Sequence, residues 1–269
     1  MQDKFKSGRG ISRRRFVQSL AALPILGLPW GSSEAASQAP NFSFVYVTDV
    51  HLVTGVPDTS LKLLQESQLF LQESVKAINL LNPDFVIFGG DQVETIGANE
   101  KNWQLFVDIV QGLKCPWYFV LGEQDISGKP PIDKLKQYGT DFKGRGLSGT
   151  TAYWSTDPMP DVHLIGLDTA QPNTAIGELS EEQLTWLKSD LAANRGKFTL
   201  IASHHPLLAP PPYDGGQPWD DYVLPNGSDA RELIATSRDV RLVLSGHLYL
   251  NKIQLENNVY HVSCAGLDV

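Results

Sequence analysis

Five short apolar runs in this chain each stop on a glycine or on a cluster of acidic and histidine residues, and that repeated ending limits the folds open to it. Phe42 to Val50 closes on Asp49-Val50-His51. Phe85 to Phe88 meets Gly89-Gly90-Asp91, and Trp117 to Leu121 meets Gly122-Glu123-Gln124-Asp125. Phe198 to Ala202 leads into Ser203-His204-His205-Pro206, and Val240 to Leu244 into Ser245-Gly246-His247-Leu248-Tyr249. Between the early runs, Leu64, Leu71, Val75 and Ile78 fall near helical spacing within Leu61 to Leu81, and Trp103 to Leu113 reads as a second helix. Strand alternating with helix predicts βαβ units. Runs apolar on both faces predict a sheet covered on both sides. In an open α/β sheet, ligands gather beyond the carboxyl ends of the strands, where all five polar endings would converge.

Each ending alone has an ordinary reading. Asp49 suits a turn or cap, Gly90-Asp91 is a common turn pair, and a single histidine is more often structural. The set reads differently. Four of the six histidines in the chain sit at strand ends, alongside Asp49, Asp91, Glu123, Asp125 and Tyr249. Imidazoles and carboxylates brought together in this way predict a metal centre.

The rest of the chain fits one domain. Thr151 to Ser155 and Val162 to Leu167 read as strands. Ser180 and Gln183 have capping-box spacing ahead of a helix carrying Leu184, Trp186, Leu187 and Leu191. Ala230 to Ala235 reads as a further helix, and Asn251 to Val262 as a hairpin turning at Glu256-Asn257-Asn258. Residues 126–150 and 207–227 are rich in Gly, Pro and Asp and read as long loops at the rim of a site.

The N-terminus has a different character. Arg13-Arg14-Arg15-Phe16 precedes an apolar stretch from Leu20 to Leu28, too short and too broken by proline to span a bilayer. A basic flank, an apolar middle and small residues ending at Ala35 or Ala39 make an export signal, and the paired arginines resemble the twin-arginine type. The expected division is a signal over 1–39 and a domain over 40–269. The twin-arginine export machinery would be a partner, the mature protein would be periplasmic or secreted, and it would have no stable membrane span. A net charge of −8 argues against nonspecific nucleic-acid binding. Cys115 and Cys264 lie in apolar runs without metal-like spacing and read as buried free thiols.

The series Asp-x-His, Gly-Asp, Gly-x-x-Asp, His-x-Pro and Gly-His, from about Phe42 to Leu267, resembles the calcineurin-like metallophosphoesterases, which include purple acid phosphatases and cyclic-nucleotide phosphodiesterases. The segment Leu179 to Leu187 resembles the connecting helix of that family. The resemblance implies a four-layer αββα sandwich with two mixed β-sheets and the metals at the carboxyl ends of the strands. It implies Asp49 and His51 as ligands of a first metal, Asp91 as a bridge, and His204 and His247 as ligands of a second. Two ions ~3.5–4 Å apart would clamp an in-line displacement at phosphorus, with a metal-bound hydroxide attacking.

Three positions depart from the family pattern. Glu123 stands where the family has asparagine, and a carboxylate also binds a hard cation. Gln124 replaces a histidine that holds phosphate and protonates the leaving group. Glutamine hydrogen-bonds but does not shuttle a proton, and such acid–base help contributes about 10²–10⁴-fold. His205 is the nearby candidate to replace it. Tyr249 replaces a histidine ligand of the first metal; it would either serve as a phenolate, which suits iron, or simply fill the gap and leave that metal weak or lost. The expected cofactor is therefore one or two ions, Fe with Mn, Zn or a second Fe. The expected function is hydrolysis of a small phosphate mono- or diester. The alternatives are a metal- or phosphate-binding protein without turnover and a redox activity at the altered centre.

Overall fold

The computed structural model describes residues 40–95, 99–126, 151–211 and 222–268. The signal expected over 1–39 lies outside the described residues, as do nearly all of the loop expected over 126–150 and the middle of the one over 207–227.

Three short strands, β1 (Phe44–Val47), β2 (Phe85–Phe88) and β3 (Trp117–Phe119), form a sheet in the order β1-β2-β3, parallel throughout. Helix α1 (Ser67–Leu81) connects β1 to β2, and α2 (Asn99–Val110) connects β2 to β3. A second, six-stranded sheet runs in the order β4-β5-β6-β7-β9-β8, from β4 (Trp154–Met159), β5 (Val162–Gly166), β6 (Phe198–Ala202), β7 (Val240–Ser245), β8 (Lys252–Glu256) and β9 (Val259–Ser263). It is mixed: β5, β6, β7 and β9 are parallel, while β4 and β8 pair antiparallel at the two edges. Helices α3 (Glu181–Ala193) and α4 (Gly227–Ala235) lie in the connections around β6.

Strand alternation sorts the side chains into two cores. Leu164, Leu200, Leu242 and Leu244 pack with Val86, Phe88 and Phe119 of the parallel sheet, and with Leu71, Trp103 and Phe106 of α1 and α2. Their neighbours Ile165, Ile201 and Val243 face the other way, onto Leu187 and Leu191 of α3 and Ala230 and Ile234 of α4. This sorting fits the expected helix–sheet–sheet–helix layering, but among the described residues one sheet is mixed and the other parallel, where two mixed sheets were expected. Every residue of β2 is buried, as a strand covered on both faces requires.

Several boundaries differ from expectation. The helix expected from Leu61 begins at Ser67, and Leu61 is exposed. The strand expected to reach Val50 stops at Val47, because Asp49 and His51 take positive φ of 51° and 45°, which a strand cannot hold. The strand expected over 151–155 sits at Trp154–Met159, tolerating Pro158 at the sheet edge. The hairpin turns on Asn257 and Asn258, both with positive φ, as a two-residue turn favours. Ser180 caps α3 by accepting from the Gln183 backbone, but the Gln183 side chain turns instead to both backbone groups of Asp168. Cys115 and Cys264 are free and half-buried.

Candidate metal centre

Backbone conformation marks the centre before any side-chain contact does. Nine described residues other than glycine have positive φ. Four are asparagines, and the other five are Asp49, His51, Asp91, His247 and Tyr249. Left-handed backbone is strained for side-chain-bearing residues and collects at functional sites. Hydrogen bonds between the strand ends hold it. Asp49 N–H donates to Gly90 O at 3.0 Å, His51 N–H to Asp91 O at 2.9 Å, and Gly246 N–H to His204 O at 3.0 Å.

The side chains form two adjoining donor groups. Asp91, Glu123, His204 and His247 offer ligand atoms that all lie within 4.8 Å of one another, and so do Asp49, His51 and Asp91. Asp91 belongs to both. Asp49, His51 and His204 are fully buried, and Asp91 and His247 nearly so.

The second group is shaped for a cation. His204 Nδ1 lies 2.9 Å from the Gly89 carbonyl and so carries the proton. Nε2 points at Glu123 and Asp91, at 3.0 and 3.5 Å. Nε2 of His204, Nε2 of His247 and Oε2 of Glu123 are all buried without a hydrogen-bond partner. Orphaned donor atoms of this kind are rare in folded proteins, and here they are the atoms a metal would take. The donor set fits a metal ion.

The first group is more occupied. Asp49 Oδ2 accepts from the Thr48 hydroxyl at 2.6 Å and the His247 backbone at 3.0 Å, while Oδ1 has no partner. His51 Nε2 lies 2.6 Å from the Tyr249 hydroxyl. On its other side, His51 Nδ1 sits 3.0 Å from Lys62 Nζ and 3.1 Å from Glu94 Oε2, and Lys62 and Glu94 pair at 2.9 Å.

The field here is strongly negative. Burial alone would keep His51 neutral, but the neighbouring carboxylates of Asp49, Glu94 and Asp91 raise its pKa to about 10. His204 is likewise raised, with Asp91 and Glu123 overcoming burial. Burial opposes ionisation of Glu94, yet His51 and Lys62 lower it to about 2. Glu123 is held well below the usual range by His204 and His247 in spite of burial. Burial raises the pKa of Tyr249, and Asp49 adds to the shift. These carboxylates draw positive charge inward, and a cation answers the same demand.

The residues around strand three fall into place. Asp125 is no ligand. It accepts from Gly122 N at 2.8 Å and Val93 N at 3.1 Å and braces the turn. Gln124 donates its backbone N–H to Asp91 Oδ1 at 2.9 Å, and its side-chain oxygen meets the Thr95 hydroxyl. Gly122 is needed for space: a Cβ there would stand 2.5 Å from Asp91 N and closer still to its carboxylate. His205 lies against His247, ring centroids 4.3 Å apart. Its Nδ1 meets the Thr169 hydroxyl at 2.9 Å and its Nε2 the Ala175 carbonyl at 3.1 Å. Burial and the neighbouring histidines push its pKa well down. With both nitrogens engaged and no proton to spare, the structure gives it a bracing position and not that of the proposed acid.

Sequence reasoning passed over Glu94 as a contact of His51. Its signal was its place three residues after Asp91. It passed over Lys62 and the buried Asp268 as well, which belong to no motif.

A parallel sheet facing a mixed one, with paired carboxylate–histidine groups at the strand ends, defines a metal-dependent phosphoesterase class. The chain belongs to the calcineurin-like phosphoesterase family, whose model matches residues 42–250. It is 25% identical over 237 residues to the 3',5'-cyclic adenosine monophosphate phosphodiesterase of Haemophilus influenzae, covering 84% of this chain and 76% of that protein. It is 29% identical over 222 residues to a probable cyclic nucleotide phosphodiesterase of Synechococcus, covering 81% and 78%. In fold it is similar to a dimetal phosphatase from Danio rerio, with a TM-score of 0.73 at 14% identity over 84% of this chain and 88% of that one.

Proposed function

We propose that this protein is an exported metal-dependent hydrolase of a small phosphate mono- or diester. The observation that carries the reading is the pair of buried donor groups meeting at Asp91, with Nε2 of His204, Nε2 of His247 and one oxygen of Glu123 left unpartnered. Asp49, His51 and Asp91 would hold one ion, and Asp91, Glu123, His204 and His247 the other. When bound, such ions supply Lewis acidity toward phosphoryl oxygens and generate a nucleophile from water at neutral pH. The chain's own residues do the positioning. The Gly89 carbonyl fixes the His204 tautomer, Glu94 and Lys62 orient His51, and Asp125 holds the turn that presents Glu123. Names of relatives support phosphodiesters as substrates, cyclic nucleotides among them. Residues 1–39 are proposed as the export signal. Replacing Arg13 and Arg14 by lysine would hold the full-length chain in the cytoplasm, and an unchanged mature periplasmic form would end that proposal.

The test of hydrolysis is turnover of bis(p-nitrophenyl) phosphate, p-nitrophenyl phosphate and 3',5'-cyclic AMP by protein loaded with Mn, Zn or Fe. Asp91→Asn should bring turnover to the metal-only blank. Activity that survives Asp91→Asn refutes the reading. A second reading, metal or phosphate binding without turnover, is favoured by Gln124 and His205, neither of which has a proton to give a leaving group. Measured phosphate binding with no turnover across the panel would establish it.

A further inference from the structure

Asp268 belongs to none of the motifs, yet it is wholly buried and neither of its carboxylate oxygens has a hydrogen-bond partner. Its backbone is fastened on both sides. Its carbonyl accepts from Leu63 N at 2.8 Å, and the preceding Leu267 N donates to the Thr48 and Asp49 carbonyls at 3.1 Å each. A Cβ built on Gly266 would touch Asp268 Oδ1, Asp49 Cβ and Tyr249 Cε1, each at 2.9 Å. Gly266 is therefore packed closely among these three groups, with no room for a side chain, on the Asp49 side of the centre.

The two donor groups are unequal. The second has four His, Asp or Glu donors and the first has three. Where the family pattern would add a histidine to the first, this chain has Tyr249, whose hydroxyl is taken up by His51 at 2.6 Å. The first group thus has three such donors beside the Tyr249 oxygen, and near it stands a buried carboxylate without a hydrogen-bond partner. Burying an ionised carboxylate without a partner is costly. Lys62, which reaches the first group, is already committed to Glu94 and His51. Asp49 Oδ1 is unpartnered as well. Two buried residues with unpartnered carboxylate oxygens, both packed against Gly266, point to a positive ligand nearby.

We propose that Asp268 is an outer carboxylate of the first metal position, supporting the ion there without binding it directly. The inference rests on the metal-centre reading above. Asp268 does not stand among the donors lying within 4.8 Å of one another. Its oxygens therefore serve the ion through a water that they orient, the role outer carboxylates commonly play.

The experiment titrates metal-free protein of the 40–269 domain unit and its Asp268→Asn variant with Mn²⁺ by calorimetry, alongside elemental analysis and thermal melts. Asparagine keeps the shape and removes only the charge. The expected result is two ions in the parent and, in the variant, one retained and the other weakened by about 10–100-fold, the usual cost of losing an outer-sphere partner. The metal-free variant should melt no lower than the metal-free parent, and its metal-induced rise in Tm should shrink. Equal affinity for both ions in parent and variant overturns the inference alone. A metal-free variant that melts lower by as much as the loaded one makes Asp268 a brace and also overturns it. One ion in the parent overturns it while leaving the second group intact. No ion in the parent sinks the metal reading and this inference together. Asp268→Ala, measured the same way, separates the charge from the packing.

Discussion

Gly122→Ala should disable the centre without replacing a ligand. The added methyl would stand 2.5 Å from the backbone nitrogen of Asp91 and nearer its carboxylate. Ordinary heavy-atom contact needs about 3.5 Å, so one side must give way by ~1 Å. Neither yields freely. Gly122 N–H is tied to Asp125 at 2.8 Å, and the carbonyl of Asp91 accepts from His51 N–H at 2.9 Å. Overpacking of this kind costs about 1–3 kcal/mol. For a domain of this size that corresponds to a fall in Tm of roughly 2–12 °C. The greater effect should be on function, because a misplacement of ~1 Å in a site costs about 10²-fold. Asp91 belongs to both donor groups, so both ions should bind more weakly. The assay is metal content and phosphodiester turnover, set beside a thermal melt. A variant that keeps two ions, parental turnover and parental Tm would refute the close approach of Gly122 to Asp91.

Two further predictions concern the scaffold. His163 is clamped between Asp157 and Asp190, at 2.7 Å from each, and these carboxylates raise its pKa despite burial. A raised histidine contributes stability that is full below its unfolded pKa of ~6.5 and is lost as pH climbs through the folded value. Asp157, lowered by Lys197 and His163 against burial, loses its contribution as pH falls through its folded value. Urea melts of parent and His163→Gln should therefore differ most in mildly acid solution and converge at alkaline pH, and a gap that widens with pH would contradict the clamp. Ser180→Ala removes the cap that accepts from Gln183 N at 3.1 Å and should cost about 1 kcal/mol by calorimetry, with turnover unchanged.

Much of this molecule is legible in its sequence because apolar runs and polar stops are local signals. Phe85–Phe88 and Phe198–Ala202 form strands over the spans their residues announce. All members of both donor groups are among the strand-end residues that the sequence brings together, while their division between two positions follows from the family resemblance. What sequence obscures is long-range. Leu61 looks like the start of a helix, yet nothing packs on it. His205 looks like a spare acid until Thr169 and Ala175 are seen on either side of its ring. Lys62 and Asp268 reach the centre from chain segments without a motif. Only the folded chain puts one beside His51 and the other beside Asp49.

The left-handed backbone at the strand ends has a consequence for what this centre is able to become. Asp49, His51, Asp91 and His247 occupy a region that asparagine, aspartate and histidine enter more readily than most residues and that β-branched side chains resist. The palette at these four positions is therefore set by backbone shape before ligand chemistry selects from it. Glu123, with no positive φ, stands outside that filter, and it is there that the chain has exchanged an amide for a carboxylate. Tyr249, at φ 51°, is the bulky side chain that passed the filter. Exchanging it for asparagine would relax the backbone and release its hold on His51 in one step.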